Sequence, residues 1–348
     1  MADDKKVYEE LAEMIEAEDT VGAAKTPALL KLLSLYFTPA EARLALQVRL
    51  TGAKFNEIHE KSGIDKAKLI KVLYTMADKG TVYIEPGKED PLYRVVGMAA
   101  PGLSETGLWG NIRFPYTVEL GKTLHTVLQE WSEERLCKLG FPYAPVWAGV
   151  ASLPDDTLPS ENLAEVLKNA GHWSVGQCPC RLSHWLADPG NHCDHMLQTC
   201  LQTGDLSRWA VEHGLASELT YDEMVVFLKR CNEDGLVHTL NINDCVCNCC
   251  DDCCAMFRGH HKGVETFVPS PFVAQADSDK CNACKTCAER CPVDAVEIDD
   301  FAVVDRSICL GCGACIPTCK TKSMVLVRRA EAEQVEIPAV IEEHMSKY

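Results

Sequence analysis

Two stretches near the C-terminal end of the chain repeat one spacing of cysteines. "CNACKTCAERCP" sets Cys281, Cys284, Cys287 and Cys291 before Pro292, and "CLGCGACIPTC" sets Cys309, Cys312, Cys315 and Cys319. Thiolates are the ligands that iron–sulfur clusters take, and three of them spaced by two residues wrap three irons of one cube. The fourth cysteine of each run lies past a turn and reaches the other cube. The spacing predicts one [4Fe-4S] cluster on Cys281, Cys284, Cys287 and Cys319 and a second on Cys309, Cys312, Cys315 and Cys291. One C-x2-C pair would suit zinc equally, but two tandem runs with this crossover do not. Two departures stand out: Lys320 follows Cys319 where Pro292 follows Cys291, and the first run lacks the glycines of "CLGCGAC". Neither removes a ligand.

The chain has 348 residues and 20 cysteines, none before Cys137. Its N-terminus, "MADDKKVYEELAEMIEAEDT", reads as an acidic amphipathic helix rather than a secretory signal. No stretch reaches the length of a membrane span; "YAPVWAGVASLP" is short and holds two prolines. A cytoplasmic location is therefore expected, where thiols stay reduced and serve metals or redox chemistry rather than a disulfide framework. Cys137 and Cys231 stand alone in helical patterns and read as small buried apolar side chains. Ten more remain in "GQCPCRLSHWLADPGNHCDHMLQTCLQTGD" and "NDCVCNCCDDCCAMFRGHH", more than one four-ligand site uses. Candidate metal ligands are Cys178, Cys180, Cys193, Cys200, Cys247, Cys249, Cys250, Cys253 and Cys254. Adjacent pairs such as Cys249–Cys250 and Cys253–Cys254 cannot readily face one small cube, so one member of each pair is expected to point away from its neighbour. The expectation is one or two further [4Fe-4S] clusters here. Zinc is the alternative, because His192, His195, His260 and His261 are near and mixed cysteine–histidine sites are its habit. Arg181 is read as a donor to a cluster sulfide or a partner's carboxylate, or as a surface salt bridge. No C-x-x-C-H occurs, which leaves out attached haem.

At these motifs the chain resembles a family of iron–sulfur proteins from anaerobic bacteria and archaea, the 4Fe-4S binding proteins that join a winged-helix-like segment, a cysteine-rich middle and a two-cluster ferredoxin domain. The matching elements are "CPCR" (178–181), "CDHMLQTC" (193–200), "GLVH" (235–238), "CNCCDDCC" (247–254), "PSPF" (269–272) and the two runs, over roughly residues 28–327. Members often carry another cysteine near the place of Asp251 and Asp252. The resemblance implies electron transfer within a larger anaerobic redox system and names no substrate.

The elements that must position these ligands follow from pattern. "VEIDDFAVVD" reads as a hairpin turning at Asp299–Asp300, and "SMVLVRR" as a further strand. "TYDEMVVFLKRCNEDG" reads as a helix capped by Thr220, with Glu223 completing a capping box and Gly235 ending it. Upstream, residues 28–96 read as helices followed by a hairpin around "PGKEDP", with Thr38, Pro39 and Glu41 in helix-start order and Leu69, Leu73 and Met76 on one core face. This is a winged helix-turn-helix pattern. The charge argues against a nucleic-acid role: 51 acidic residues against 34 basic ones give −17, where DNA binders need cationic surface. The exposed face would offer Lys68, Lys71 and Thr75, with no arginine for bidentate guanine contact.

The expected architecture is a multidomain α+β chain: an N-terminal helix (1–27), a winged helix-turn-helix domain (28–97), a mainly helical cysteine-rich middle domain (98–265), a ferredoxin-type 2[4Fe-4S] domain (266–328) and a tail (329–348) lying along a partner. The expected function is an electron-transfer protein that partners or forms a subunit of a larger redox enzyme complex. Two alternatives stay open: a redox-sensing winged-helix regulator, and an oxidoreductase whose middle cluster has an open iron site, with His195 and His261 as first suspects for proton transfer. No G-x-G-x-x-G follows a strand and there is no P-loop, so no nucleotide site is expected.

Overall fold

The computed structural model describes residues 2–19, 22–98, 102–109, 118–138, 142, 144–241, 244–330 and 339. The tail expected to lie along a partner falls outside the described residues from 331 onward, apart from residue 339, as do residues 99–101 and 110 of the linker after the first hairpin. The chain divides into two compact units, each built from separated stretches. One takes residues 1–138, 174–192 and 204–218; the other takes 139–173, 193–203 and 219–348.

In the first unit, the Ala2–Glu18 helix buries Val7, Leu11 and Ile15, one turn apart, and packs against the Pro39–Val48 helix. Thr26 caps the Pro27–Tyr36 helix through the Leu29 N–H (3.2 Å). Thr38 and Glu41 exchange the two bonds of a capping box at Pro39–Val48. The Phe55–Ser62 helix stops at Gly63, whose φ of 65° is the left-handed conformation glycine adopts without a Cβ penalty. The Lys66–Asp78 helix buries Leu69, Leu73 and Met76. Three antiparallel strands follow the order Ala53–Lys54, Leu92–Val95, Val82–Ile84. A long helix, Val118–Glu134, packs beside Pro179–Ala187. The approach needs Gly121, since a Cβ there would sit 2.1 Å from Leu186 Cβ.

The second unit contains strands in the order Phe267–Val268, Ala144–Trp147, Val237–Asn241, Cys245–Cys249, Cys200–Thr203. The first pair is parallel and the others are antiparallel. Side chains alternate between faces of such strands. Trp147, Leu201, Leu240 and Val246 share one face and form a core with Leu163, Leu167, Met224 and Leu228. Cys245, Cys247 and Cys249 take the other face. The middle of the chain was expected to be mainly helical. Helices do outnumber strands there among the described residues, but most of its thiols sit on or beside a sheet. "CVCNC" hides this: cysteine is ambiguous in a hydrophobic pattern, so the period-two alternation with Val246 and Asn248 reads weakly.

The Tyr221–Asp234 helix carries the Thr220–Glu223 capping box and ends at Gly235 (φ 95°). At the C-terminal end, Phe272–Ala276 pairs antiparallel with Met324–Arg328, and Val296–Ile298 with Ala302–Val304. The same unit ties these strands to the sheet. The Gly149 N–H donates to the Cys312 carbonyl (2.9 Å), and the Ser152 hydroxyl reaches both Asn232 Oδ1 (2.8 Å) and the Gly313 carbonyl (3.0 Å). Arg290 spans the Ala314 (2.9 Å) and Glu233 (2.8 Å) carbonyls. Among the described residues, no helix is long and apolar enough to cross a membrane.

Candidate metal centres

The two C-terminal runs fold alike. Each wraps through two left-handed residues at the same places: Ala283 (φ 55°) and Lys285 (φ 67°) in the first, Gly311 (φ 66°) and Gly313 (φ 74°) in the second. The glycines missing from the first run are thus replaced by residues held in a conformation that costs about 1–2 kcal/mol each. The second run has no such latitude. A Cβ on Gly311 would meet the Phe272 carbonyl oxygen at 2.0 Å.

The wrap brings Cys319 within electrostatic reach of Cys284, while Cys287 feels Cys281 and Cys284. In the other group Cys315 feels Cys312, Cys309 and Cys291 most, and more weakly Cys287 of the first run. Yet no two of these eight sulfurs are in hydrogen-bond contact with each other. A cube binds each thiolate to a separate iron, so sulfurs kept out of contact suit a multi-iron cluster, and backbone donors already point at them. The Ala302 N–H reaches Cys281 Sγ (3.4 Å), Ala295 N–H reaches Cys291 Sγ (3.2 Å), and Met324 N–H reaches Cys319 Sγ (3.4 Å). The residues present fit a pair of clusters.

The two groups differ in environment. Burial pushes the Cys312 thiol up to about 12 and the Cys315 thiol well above the ordinary thiol range. At Cys319 burial also pushes up, but the Ser323 hydroxyl, the Met324 N–H and the Thr321 hydroxyl outweigh it and bring the thiol to about 7. Cys284, fully exposed, is lowered by the Thr286 hydroxyl and N–H.

On the sheet the thiols touch. Cys200 and Cys245 are 3.4 Å apart, Cys247 bonds both Cys245 and Cys249, and Cys249 lies 3.3 Å from Cys254. The five form a row of contacts: Cys245, Cys247 and Cys249 along one strand face, Cys200 on the neighbouring strand and Cys254 at the start of the next helix. Cys200, Cys247 and burial drive the Cys245 thiol upward; Cys247, Cys254 and burial do the same to Cys249. Thr239 is paired across the ladder with Cys247 and shares its face. Its hydroxyl is buried and, among the described residues, has no hydrogen-bond partner. A buried orphan hydroxyl costs about 1–3 kcal/mol, so its place beside the row fits a bound group that supplies the missing acceptor. Cys245 was absent from the expected ligand set. The i, i+2, i+4 spacing of Cys245, Cys247 and Cys249 is the signal that would have found it.

Cys193, Cys250 and Cys253 gather separately, all within 4.8 Å of one another. Each adjacent pair therefore splits, Cys249 and Cys254 to the row, Cys250 and Cys253 to this second group. Cys178 and Cys180 belong to the first unit, half-buried at the start of the Pro179–Ala187 helix. Cys231 is buried as expected, but Cys137 is exposed, its thiol donating to the Glu133 carbonyl (3.0 Å). Arg181 is fully buried, which removes the surface salt bridge as its role. The nearby histidines have other neighbours. His195 Nδ1 lies 3.2 Å from Asp234, His192 stacks on Trp185, and His260 and His261 lie against Phe267 and Phe257.

A family model for the 4Fe-4S binding domain matches residues 274–297, which span the first run. The C-terminal end of this chain therefore carries a 4Fe-4S binding domain. Residues of this chain are similar to two curated proteins. One is the archaeal-type glutamate synthase [NADPH] of Dehalococcoides mccartyi, 35% identical over 66 residues, which is 18% of this chain and 13% of that protein. The other belongs to the ion-translocating oxidoreductase complex of Methanosarcina acetivorans, as one of its subunits, and is 38% identical over 47 residues, which is 13% of this chain and 18% of that protein. The matched stretches thus span less than a fifth of either relative. No solved structure matches the chain.

Proposed function

We propose that this chain is an iron–sulfur electron-transfer protein, serving a larger redox enzyme complex as partner or subunit. The observation that carries the reading is the grouping of Cys281, Cys284, Cys287 with Cys319 and of Cys309, Cys312, Cys315 with Cys291, held apart and met by backbone donors. When bound, [4Fe-4S] clusters supply one-electron redox chemistry. The chain's own residues hold the thiolates and direct N–H groups at the sulfurs. They surround one group with low-dielectric packing and the other with hydroxyl donors. Donors to sulfur stabilise the added negative charge of the reduced state, and burial opposes it. The side with exposed Cys284 and the hydroxyl-bonded, half-buried Cys319 is thus set to hold an electron more readily than the side with half-buried Cys312 and buried Cys315.

The thiol row is read as a further iron–sulfur centre. The backbones of Cys245 and Cys249 lie about 13 Å apart along the strand at 3.3 Å per residue, and their sulfurs meet only through Cys247 between them. That is too far for one ion, so five thiols strung along this length suit a polynuclear site. The hydrogen bonds through Gly149, Ser152 and Arg290 support a continuous route, since they tie the sheet to the second run within one compact unit. The names of the two relatives add a reason to look for an oxidoreductase partner. Residues 28–97 are read as a winged-helix docking module: Ile70 and Tyr74, one turn apart, are exposed on the Lys66–Asp78 helix beside Lys68 and Lys71. That mixture of apolar and modestly basic surface suits a protein better than a phosphate backbone.

The test is a potentiometric titration of anaerobically purified protein followed by electron paramagnetic resonance. Two reducible [4Fe-4S] signals of different midpoint potential are expected. No reducible cluster within the range of cellular donors would refute the electron-transfer role.

A further inference from the structure

The second thiol group differs in kind from the row. Cys193 and Cys253 sulfurs are 3.6 Å apart, and Cys250 completes a set of three within 4.8 Å. Cys231 and Leu236, both buried, form one cluster with Cys250 and Cys253, and Met196 and Phe227 pack against it. We propose that Cys193, Cys250 and Cys253 form a single-ion site for zinc, distinct from the thiol row and from both ferredoxin clusters, with Cys231, which lies outside the 4.8 Å set but is buried against Cys250 and Cys253, turning in as the fourth ligand rather than serving as apolar packing.

Size separates a single ion from a cube. Four thiolates at about 2.3 Å from a tetrahedral ion stand about 3.8 Å from one another. A cube binds each thiolate to a different iron, so its thiolates stand wider apart. The chain contains its own ruler for that spacing, because none of the eight ferredoxin sulfurs is in contact with another. The Cys193 group has the single-ion spacing because its three sulfurs are all mutually within 4.8 Å, whereas the row's contacts run only from one thiol to the next and, among the described residues, gather no three sulfurs that closely. It also differs from the row in construction. The row follows one strand and outruns an ion's reach, whereas this group draws its thiols from separate stretches: the turn at Cys193, the end of the Tyr221–Asp234 helix and the turn at Cys250–Cys253. Soft thiolates select zinc or iron–sulfur, and a closed four-thiolate tetrahedron of single-ion size selects zinc. No histidine belongs to the group of three. With four thiolates and no open position, the ion acts as a staple. It fixes the chain on both sides of the row and takes no part in electron transfer. This role is independent of the electron-transfer reading.

Two measurements test it on the full-length protein purified without oxygen. Metal analysis is expected to find about one zinc per chain, and zinc X-ray absorption to find a shell of four sulfurs at about 2.3 Å. Cys193→Ser and Cys253→Ser are expected to lose that zinc while keeping the iron and sulfide of the parent, and Cys247→Ser to keep the zinc. A parent without zinc, together with iron lost from Cys193→Ser, would assign the group to an iron–sulfur cluster and overturn the proposal. Nitrogen or oxygen in the zinc shell would overturn it as well. Should the serine variants fail to fold, the parent's zinc content and shell decide alone. Absence of reducible clusters in a zinc-replete parent would instead fault the electron-transfer reading and leave this one standing.

Discussion

The ferredoxin end and the thiol sheet are both crowded with cysteine, yet they hold their sulfurs in opposite ways. At the ferredoxin end the chain bends through left-handed residues, so each thiol points inward from a loop and stays clear of its neighbours. On the sheet an extended strand sets Cys245, Cys247 and Cys249 on one face, and their sulfurs touch. Loops wound around a centre keep it whether or not neighbouring elements move. A strand offers a flat row whose occupancy depends on what covers the face. The difference teaches that cysteine count alone says little about a metal site. Backbone conformation decides the spacing, and spacing decides what is bound.

The largest test of this contrast is at Gly311. Gly311→Ala drives a Cβ into the Phe272 carbonyl from a left-handed position. We expect loss of about four irons per chain, one cube's worth, by iron and sulfide assay. Full iron loading of this variant would show that the close turn is not what positions the second run. Next in size is Cys247→Ser, which sits between two thiols of the row. It is expected to remove the iron held on the sheet and leave both ferredoxin signals in the paramagnetic resonance spectrum. If those signals disappear too, the two regions are not separate centres.

Smaller effects sharpen the comparison. Ala283→Gly relieves a left-handed alanine at the place where the second run has Gly311. It is expected to leave cluster content unchanged and to raise stability by up to about 1 kcal/mol, read by denaturant midpoint. The smallest lies away from both regions, as a control on the first unit. Glu41 is nearly buried and, although burial pushes its carboxyl up, Lys79 and the Thr38 N–H hold it below the usual carboxylate range. A depressed carboxyl stabilises the fold above its unfolded pKa, and this is lost as pH falls through the folded value. Glu41→Gln is expected to cost about 1 kcal/mol at neutral pH and progressively less in acid, with cluster content unaltered.

Much of the ferredoxin end was legible because its chemistry is local. Ligand spacing, the hairpin at 296–304 and the strand from Met324 all follow from short-range rules. The same holds for the Thr38 and Thr220 capping boxes and the stops at Gly63 and Gly235. The middle was less legible because its order is non-local. Pairing of Cys245–Cys249 with its sequence neighbour Val237–Asn241 is local, but its pairing on the other edge with Cys200–Thr203 joins stretches far apart in sequence, and no spacing announces it. The split of Cys249 from Cys250 was readable from stereochemistry, but the partners each would find were not. Cys245 was readable locally, from its i, i+2, i+4 spacing with Cys247 and Cys249, but the buried orphan hydroxyl of Thr239 was not, because its meaning exists only across a strand pair.

The measurement that bears most directly on the account is iron and acid-labile sulfide per chain on protein purified without oxygen. Two ferredoxin clusters and a further centre on the sheet predict more than about eight irons, near twelve if that centre holds four. A value of four or fewer, with no reducible signal, would contradict the central claim that this chain carries electrons through paired [4Fe-4S] clusters.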